Sequence, residues 1–553
     1  MSKPSQQPKP KPQIRHEMVK VLGSLEVIRT YCRRLKIAET VGNLCPMREA
    51  DNGLSHGQVI EALIANRLSS PLRTNGVRSP LYEIEEWARN FAVEEVFGIL
   101  PEQLNDDRLG RALEALAPVA EPARGAIGLQ AIHEFGLDAT KFHWDLTSCT
   151  FAGAYERQNE QFPTIEYGYS SNKADQDRKQ VRLGAATVQD GAIPVWHEVL
   201  SGHSADVTTV VDTMHNLQKQ LQVSNFLLIG DSKLLSYGNM FAIHRANNYF
   251  LGPLSARPEL DREFLALQPE RWPQLDYVSR RDQQKPPEQR IRYWGTETEW
   301  QLTDPQTGKQ VAFRKLFILS SEERAACRKN RKRQLERALR DLEKMRSGIR
   351  SRRYYTTRER ILAKVDKVLT QRKVKAFFTP VVYEVDGQLR LQLRRNERAL
   401  REAEALDGYY VLATNLPPEQ ADLLQAFTDY KAQSEVERRF SNVKGPLRVR
   451  PLFLKNNDRI LALVTVILLA LTVFCLLERE VRRKLPDTDG KLTGLLPENR
   501  TARATGRNIL RRLSTQILIV STIDGQLYKE RGPITDVQKR LLELLGVSLM
   551  EFG

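Results

Sequence analysis

Cysteine and histidine are scarce in this 553-residue chain. There are five cysteines (Cys32, Cys45, Cys149, Cys327 and Cys475), with no CxxC and no paired spacing. That pattern argues against a zinc site or a disulfide framework and fits a reducing cytosol. The eight histidines, His143 and His203 among them, include no pair at ligand spacing and read as ordinary core or surface residues. Long apolar runs are equally rare. Only Ile460–Leu477 goes 18 residues without a charge, the lower edge of a membrane span. A helix buried on all sides would look the same, and a lone run following so closely on a charged helix reads as core, so no membrane partner is expected. The first residues, MSKPSQQPKPKPQIRHE, lack an apolar core and read as a flexible Lys/Pro-rich tail over 1–16 rather than a signal peptide.

What is abundant is positive charge. The formal net charge is +16 with a pI of about 9.5, which points to a polyanionic partner. The charge is concentrated: residues 324–373 hold 19 Lys/Arg against 5 Asp/Glu. Such a run is usually a solvated helix face, but at this density a phosphate backbone is the better explanation. Hydrophobic content of 41% supports real cores, and the length allows three or four domains.

In order along the chain, residues 17–125 read as a helical domain that could bind DNA. His16–Arg34 has helical spacing, Ser55 caps the next helix, and Ser79-Pro80 opens another. From 126 to 255 the pattern is strand–strand–strand–helix–strand–helix–strand. The strands fall at 142–156, 179–191, 193–202, 225–236 and 247–255, with helix Ala205–Gln222 between the third and fourth. Asp190-Gly191 marks a hairpin. This order places Asp145 on the first strand and Asp231 at the end of the fourth. If those strands are parallel neighbours, two carboxylates 86 residues apart meet, and a pair kept ionised needs a cation between them. The bland alternatives are a capping acid at Asp145 and a turn residue at Asp231.

Residues 256–405 read as an insertion of alternating strands around a basic antiparallel helical hairpin over 322–374, turning near Gly348–Thr357. Its apolar stripes are Leu335, Leu339, Leu342 and Ile349, and Ile361, Leu362, Val365, Val368 and Leu369. A strand at 407–416 opens the second core segment, 406–485. Residues 486–553 form a small C-terminal region with helix Arg507–Leu513, a hairpin at Asp524-Gly525 and a last helix closed by Gly546. The stretch 430–444, YKAQSEVERRFSNVK, sets Tyr430, Glu437 and Lys444 at intervals of seven, which on a single helix is one stripe. A carboxylate flanked by an aromatic hydroxyl and an ammonium suits a metal-bound phosphate; a solvated face with chance spacing is the competing explanation.

The ordered acids resemble the ribonuclease H-like core of DDE transposases from bacterial insertion sequences. Segment 430–444 is similar to the Y-x2-R-x3-E-x6-K signature of the insertion-sequence-four group, with Tyr430, Glu437 and Lys444 in register and Gln433 where the signature has arginine. DLTSCTFAGAYE, GYSSNKADQDRKQV, SGHSADVTT, GDSKLLS and the run following Glu437 resemble further family segments. The N-terminal helical domain fits a subgroup that carries one. The resemblance implies an α/β fold, with a ribonuclease H-like mixed sheet flanked by helices and interrupted by an insertion. It implies Asp145, Asp231 and Glu437 as catalytic ligands of two Mg²⁺ ions, with Mn²⁺ able to substitute. It further implies DNA contacts from Tyr430, Gln433, Arg438, Arg439 and Lys444. Arg438 and Arg439 are nearby cations, but they lie off the stripe. Gln433 cannot reproduce a bidentate arginine clamp, which bears on a hairpin-ended intermediate more than on cleavage.

The expected activity is cleavage and strand transfer of double-stranded DNA at the element's terminal inverted repeats, by a homodimer in a synaptic complex. The expected location is the bacterial cytoplasm, with the protein nucleoid-associated when bound. A catalytically inactive DNA-binding protein derived from a transposase is the alternative.

Overall fold

A computed structural model describes residues 14–48, 53–69, 81–151, 155, 158–168, 178–204, 209–350, 357–444, 456–524 and 526–552. Much of GYSSNKADQDRKQV, and part of SGHSADVTT, lies outside the described residues. The chain forms two compact units, residues 1–249 with 431–553, and residues 250–430.

The first unit is organised on helix Asn457–Arg483. Its central run contains neither Gly nor Pro, begins after Asn456 with Asp458 in the first turn, and ends on Arg482 and Arg483. The run expected as core is buried throughout. It packs on strand Ile193–Ser201 and on helices His56–Ser69, Asp106–Leu116, Gly506–Leu513 and Asp536–Leu545. The Thr472 hydroxyl donates to the Pro194 carbonyl at 2.9 Å, so its one mid-helix polar group at this contact is satisfied.

The sheet of this unit runs Ile193–Ser201, Lys179–Val188, Lys141–Phe151, Leu227–Ile229. A two-residue strand, Glu166–Tyr167, also pairs with Lys179–Val188. The first three strands are antiparallel. The Leu227–Ile229 strand runs parallel to Lys141–Phe151 with His143 opposite Ile229. Helix Ala120–Phe135 lies so close to the sheet that a methyl group on Gly128 would collide with the Val195 carbonyl oxygen. Gly128→Ala is therefore expected to cost at least about 1–3 kcal/mol, measurable as a lower thermal midpoint.

One stretch differs from the sequence expectation. Residues 14–21, expected as tail and helix start, form strand Ile14–Val21, and the helix begins only at Leu25. That strand pairs antiparallel with Ile517–Ile523, which pairs in turn with Gln526–Arg531. The chain ends supply each other's backbone partners, which local periodicity cannot show.

The second unit contains an antiparallel sheet in the order Tyr249–Pro253, Tyr409–Thr414, Gln310–Ser320, Tyr293–Thr303, Gln274–Leu275. Separate from it, helices Ser321–Arg350 and Arg358–Gln371 pack with hairpin Phe378–Val385/Gln388–Arg395 around a core of their own. Asp386 and Gly387 both have positive φ, 52° and 69°, as an Asp-Gly hairpin turn requires. The inward stripe of the first helix is Leu335, Ala338, Leu342, Met345 and Ile349. Leu339, expected in that stripe, is 47% exposed, because the inward steps alternate three and four and pass through Ala338 instead.

Candidate active site

Because the strands of Asp145 and Asp231 are parallel neighbours, each acid lies two residues beyond the paired His143 and Ile229. The two carboxylates line one cleft with Trp144, Leu146, Val210, Lys233 and Leu234. Asp145 is half-buried and accepts the Leu146 amide at 2.8 Å. Asp231 is exposed in the turn after its strand, where its side chain accepts the Lys233 amide at 3.0 Å. Asp231 also accepts the Leu234 amide on its carbonyl at 3.0 Å. This turn holds the carboxylate at the strand end.

Two cations that the sequence did not single out share this place. Arg182, on strand Lys179–Val188 opposite Ser148, is buried. Burial pulls its guanidinium below its ordinary value, while Asp145 and Asp231 work in the other direction. Lys233 lines the cleft itself. Burial and the neighbouring Arg182 lower its ammonium, and Asp145 opposes them. A lone arginine in an apolar strand and a lysine in a turn carry no spacing signal. Sheet register brings Arg182 to the acids, and the turn after the Leu227–Ile229 strand brings Lys233.

The stretch 430–444 is not one helix. Helix Leu423–Lys431 ends, Ala432 is a turn, and helix Gln433–Lys444 begins. The Ser434 hydroxyl donates to the Lys431 carbonyl at 3.1 Å, a side chain competing with the backbone ladder at the junction. Tyr430 and Glu437 therefore do not share one continuous helix, and the Tyr430 ring lies 6.4 Å from that of Tyr410. Gln433 is the first residue of the second helix and half-buried. Lys444 is its last, and its side chain lies outside the described residues.

Helix Gln433–Lys444 packs against the strand of Asp145. Val436 and Arg439 point inward, so Glu437 and Arg438 fall on the exposed face. Arg438 pairs with Glu435 at 3.2 Å. Arg439, expected at DNA, is instead 4% exposed, bonded to Glu478 at 2.9 Å and to the Gly191 carbonyl at 2.6 Å. Burial lowers its guanidinium, but the Cys475 and Glu478 side chains outweigh that and raise it. It is a structural cation, not available to a phosphate. Among the described residues no three His, Cys, Asp or Glu side chains gather as a metal group, so Glu437 is not brought to Asp145 and Asp231 here.

Residues 17–121 match a domain of unknown function, DUF4277. Residues 136–473 match the Transposase DDE domain. No curated protein matches. Among solved structures the chain is similar to a piggyBac transposase synaptic complex with hairpin DNA, at 9% identity and TM-score 0.40, covering 88% of this chain and 79% of that one. It is also similar to a Mos1 transposase paired-end complex with left transposon end, at 11% identity and TM-score 0.15, covering 31% and 54%. At these values neither likeness identifies a residue. The family match spans more than half of the chain and includes both cleft aspartates, and by it this chain belongs to the Transposase DDE domain family.

Proposed function

We propose that this protein binds the terminal inverted repeats of a bacterial insertion sequence and cleaves and rejoins DNA at the cleft of Asp145 and Asp231. In this proposal Glu437 supplies the third carboxylate, and the protein acts in the cytoplasm as a homodimer that pairs two element ends. The observation that carries the proposal is the meeting of two distant aspartates, each two residues beyond the last paired position of two parallel neighbouring strands, with two cations beside them. Hard oxygen donors of this kind fit Mg²⁺ or Mn²⁺, since Mg²⁺ usually takes one or two protein carboxylates and completes its shell with water and phosphate. When bound, such ions would make water a stronger nucleophile and neutralise charge on the departing oxygen. The chain's own part is to orient the two carboxylates through the Leu146 and Lys233 amides. Arg182 and Lys233 add positive charge where a phosphodiester would sit. Glu437 lies on the exposed face of a helix packed against the Asp145 strand, and a rearrangement of that helix on DNA would carry it to the pair.

The test incubates the full chain with duplex carrying its element's ends, in Mg²⁺ and in EDTA, beside Glu437→Gln. Nicking at the ends in Mg²⁺ alone, reduced at least about a hundredfold by Glu437→Gln, is the expected outcome. Binding without cleavage in either Mg²⁺ or Mn²⁺ would leave the inactive DNA-binding descendant, the reading favoured by Gln433 in place of the signature arginine. Undiminished cleavage by Glu437→Gln would remove Glu437 from the site.

A further inference from the structure

Helix Ser321–Arg350 has two faces of different chemistry. Its inward face closes the core shared with helix Arg358–Gln371 and hairpin Phe378–Val385/Gln388–Arg395. The outward face carries Lys329, Arg333, Arg337, Arg340 and Lys344, all exposed, at steps of four, four, three and four. That is one continuous stripe spanning about 22 Å, at 1.5 Å per residue. Of the acids nearby, Glu336 shares this exposed side but forms no ion pair with the five cations, and the other two are paired with other residues. Asp341 binds Arg372 at 2.7 Å and Glu343 binds Arg346 at 2.9 Å. None of the five cations has a carboxylate within 4.0 Å among the described residues, and Arg333 bonds the neutral Asn330 at 2.8 Å. Like charges one turn apart destabilise a helix, so folding alone gives no reason for this spacing.

We propose that this stripe is a sequence-independent clamp for the backbone of duplex DNA, built from residues that do not line the cleft. The proposal rests on the transposase reading for its choice of polyanion. Duplex DNA offers one charge per about 1.7 Å of axis, so a stripe of this length faces phosphates enough for every cation. A protein partner would be expected to find apolar or aromatic anchors, and among the described residues of this helix the one exposed large apolar side chain is Leu339.

The test measures binding of the full chain to a random-sequence duplex across a salt series. Three forms are compared. One is unaltered, one carries Lys329→Gln, Arg333→Gln, Arg337→Gln, Arg340→Gln and Lys344→Gln together, and one exchanges Lys for Arg and Arg for Lys at the same positions. If the stripe binds phosphates, the five glutamines lower the slope of log K against log salt by about 3 to 4.5. They also weaken binding at least about a hundredfold near 0.1 M salt. The exchanged form should stay close to the unaltered one, and the glutamine form should melt no lower, since repulsion has been relieved. An unchanged slope overturns the clamp. Equal binding of polyglutamate and duplex through the stripe also overturns it, in favour of an acidic protein. End cleavage by the unaltered chain is scored separately. Cleavage with an unchanged slope sinks the clamp alone, whereas a reduced slope without cleavage keeps the clamp and sinks the catalytic reading.

Discussion

Asp145→Asn and Asp231→Asn are each expected to leave the protein folded and able to bind element ends, while lowering divalent-ion-dependent cleavage on the order of 10³-fold or more. Asparagine keeps the size and hydrogen-bonding capacity of the side chain. It can still accept the Leu146 amide at position 145 or the Lys233 amide at 231. What it removes is a negative charge from a cleft that also holds Lys233, with Arg182 close by. The double substitution should be hardly worse than either single one, because ligands of one cation act as a unit. Binding should hold or tighten, since a carboxylate that repels phosphate has gone. A single substitution that weakened end binding and cleavage equally would mark its aspartate as structural.

Arg439→Gln is expected to show the largest loss of stability among the residues first associated with DNA. The guanidinium is buried against Glu478, itself buried and also paired with Arg482 at 2.5 Å. Removing one partner of such a pair leaves a charge without its full compensation, which typically costs about 3–5 kcal/mol. Arg438→Gln, one residue away but exposed, should fall within about 0.5 kcal/mol of the parent. Thermal and urea melts of the two variants separate a structural arginine from a DNA contact, which would give the reverse ranking in a binding assay. The pair also fixes a pH dependence. Burial alone would raise the Glu478 carboxyl, but Arg439 and Arg482 outweigh it and hold it below its ordinary value. A carboxyl lowered on folding contributes stability that is full above its unfolded value of about 4.3. That contribution is lost as pH falls through the lower folded value, and Arg439→Gln should blunt this acid-side loss.

Strand order, hairpin turns and the meeting of Asp145 with Asp231 were legible in the sequence because each rests on short-range chemistry. Alternation marks the strands, Asp386-Gly387 supplies two positive-φ residues, and a helix between the third and fourth strands implies a parallel return. The buried helix Asn457–Arg483 was legible from its uninterrupted apolar run. What escaped depends on contacts distant in sequence or on one competing side chain. Strand Ile14–Val21 exists because Ile517–Ile523 offers it a ladder. The helix break at Ala432 accompanies the Ser434 hydroxyl's bond to Lys431. Arg439 faces inward because Glu478, a residue of the apolar helix's C-terminal end, waits there for a partner. Arg182 joins the site through sheet register alone.

The most direct measurement is Mn²⁺ binding to the full chain without DNA, followed by electron paramagnetic resonance, for the unaltered protein, Asp145→Asn and Asp231→Asn. If one cation is shared by the two cleft carboxylates, a saturable site should appear in the unaltered chain. Each substitution should then weaken it by a similar factor, at least about tenfold. Equal Mn²⁺ binding by all three proteins would contradict a cation held between Asp145 and Asp231.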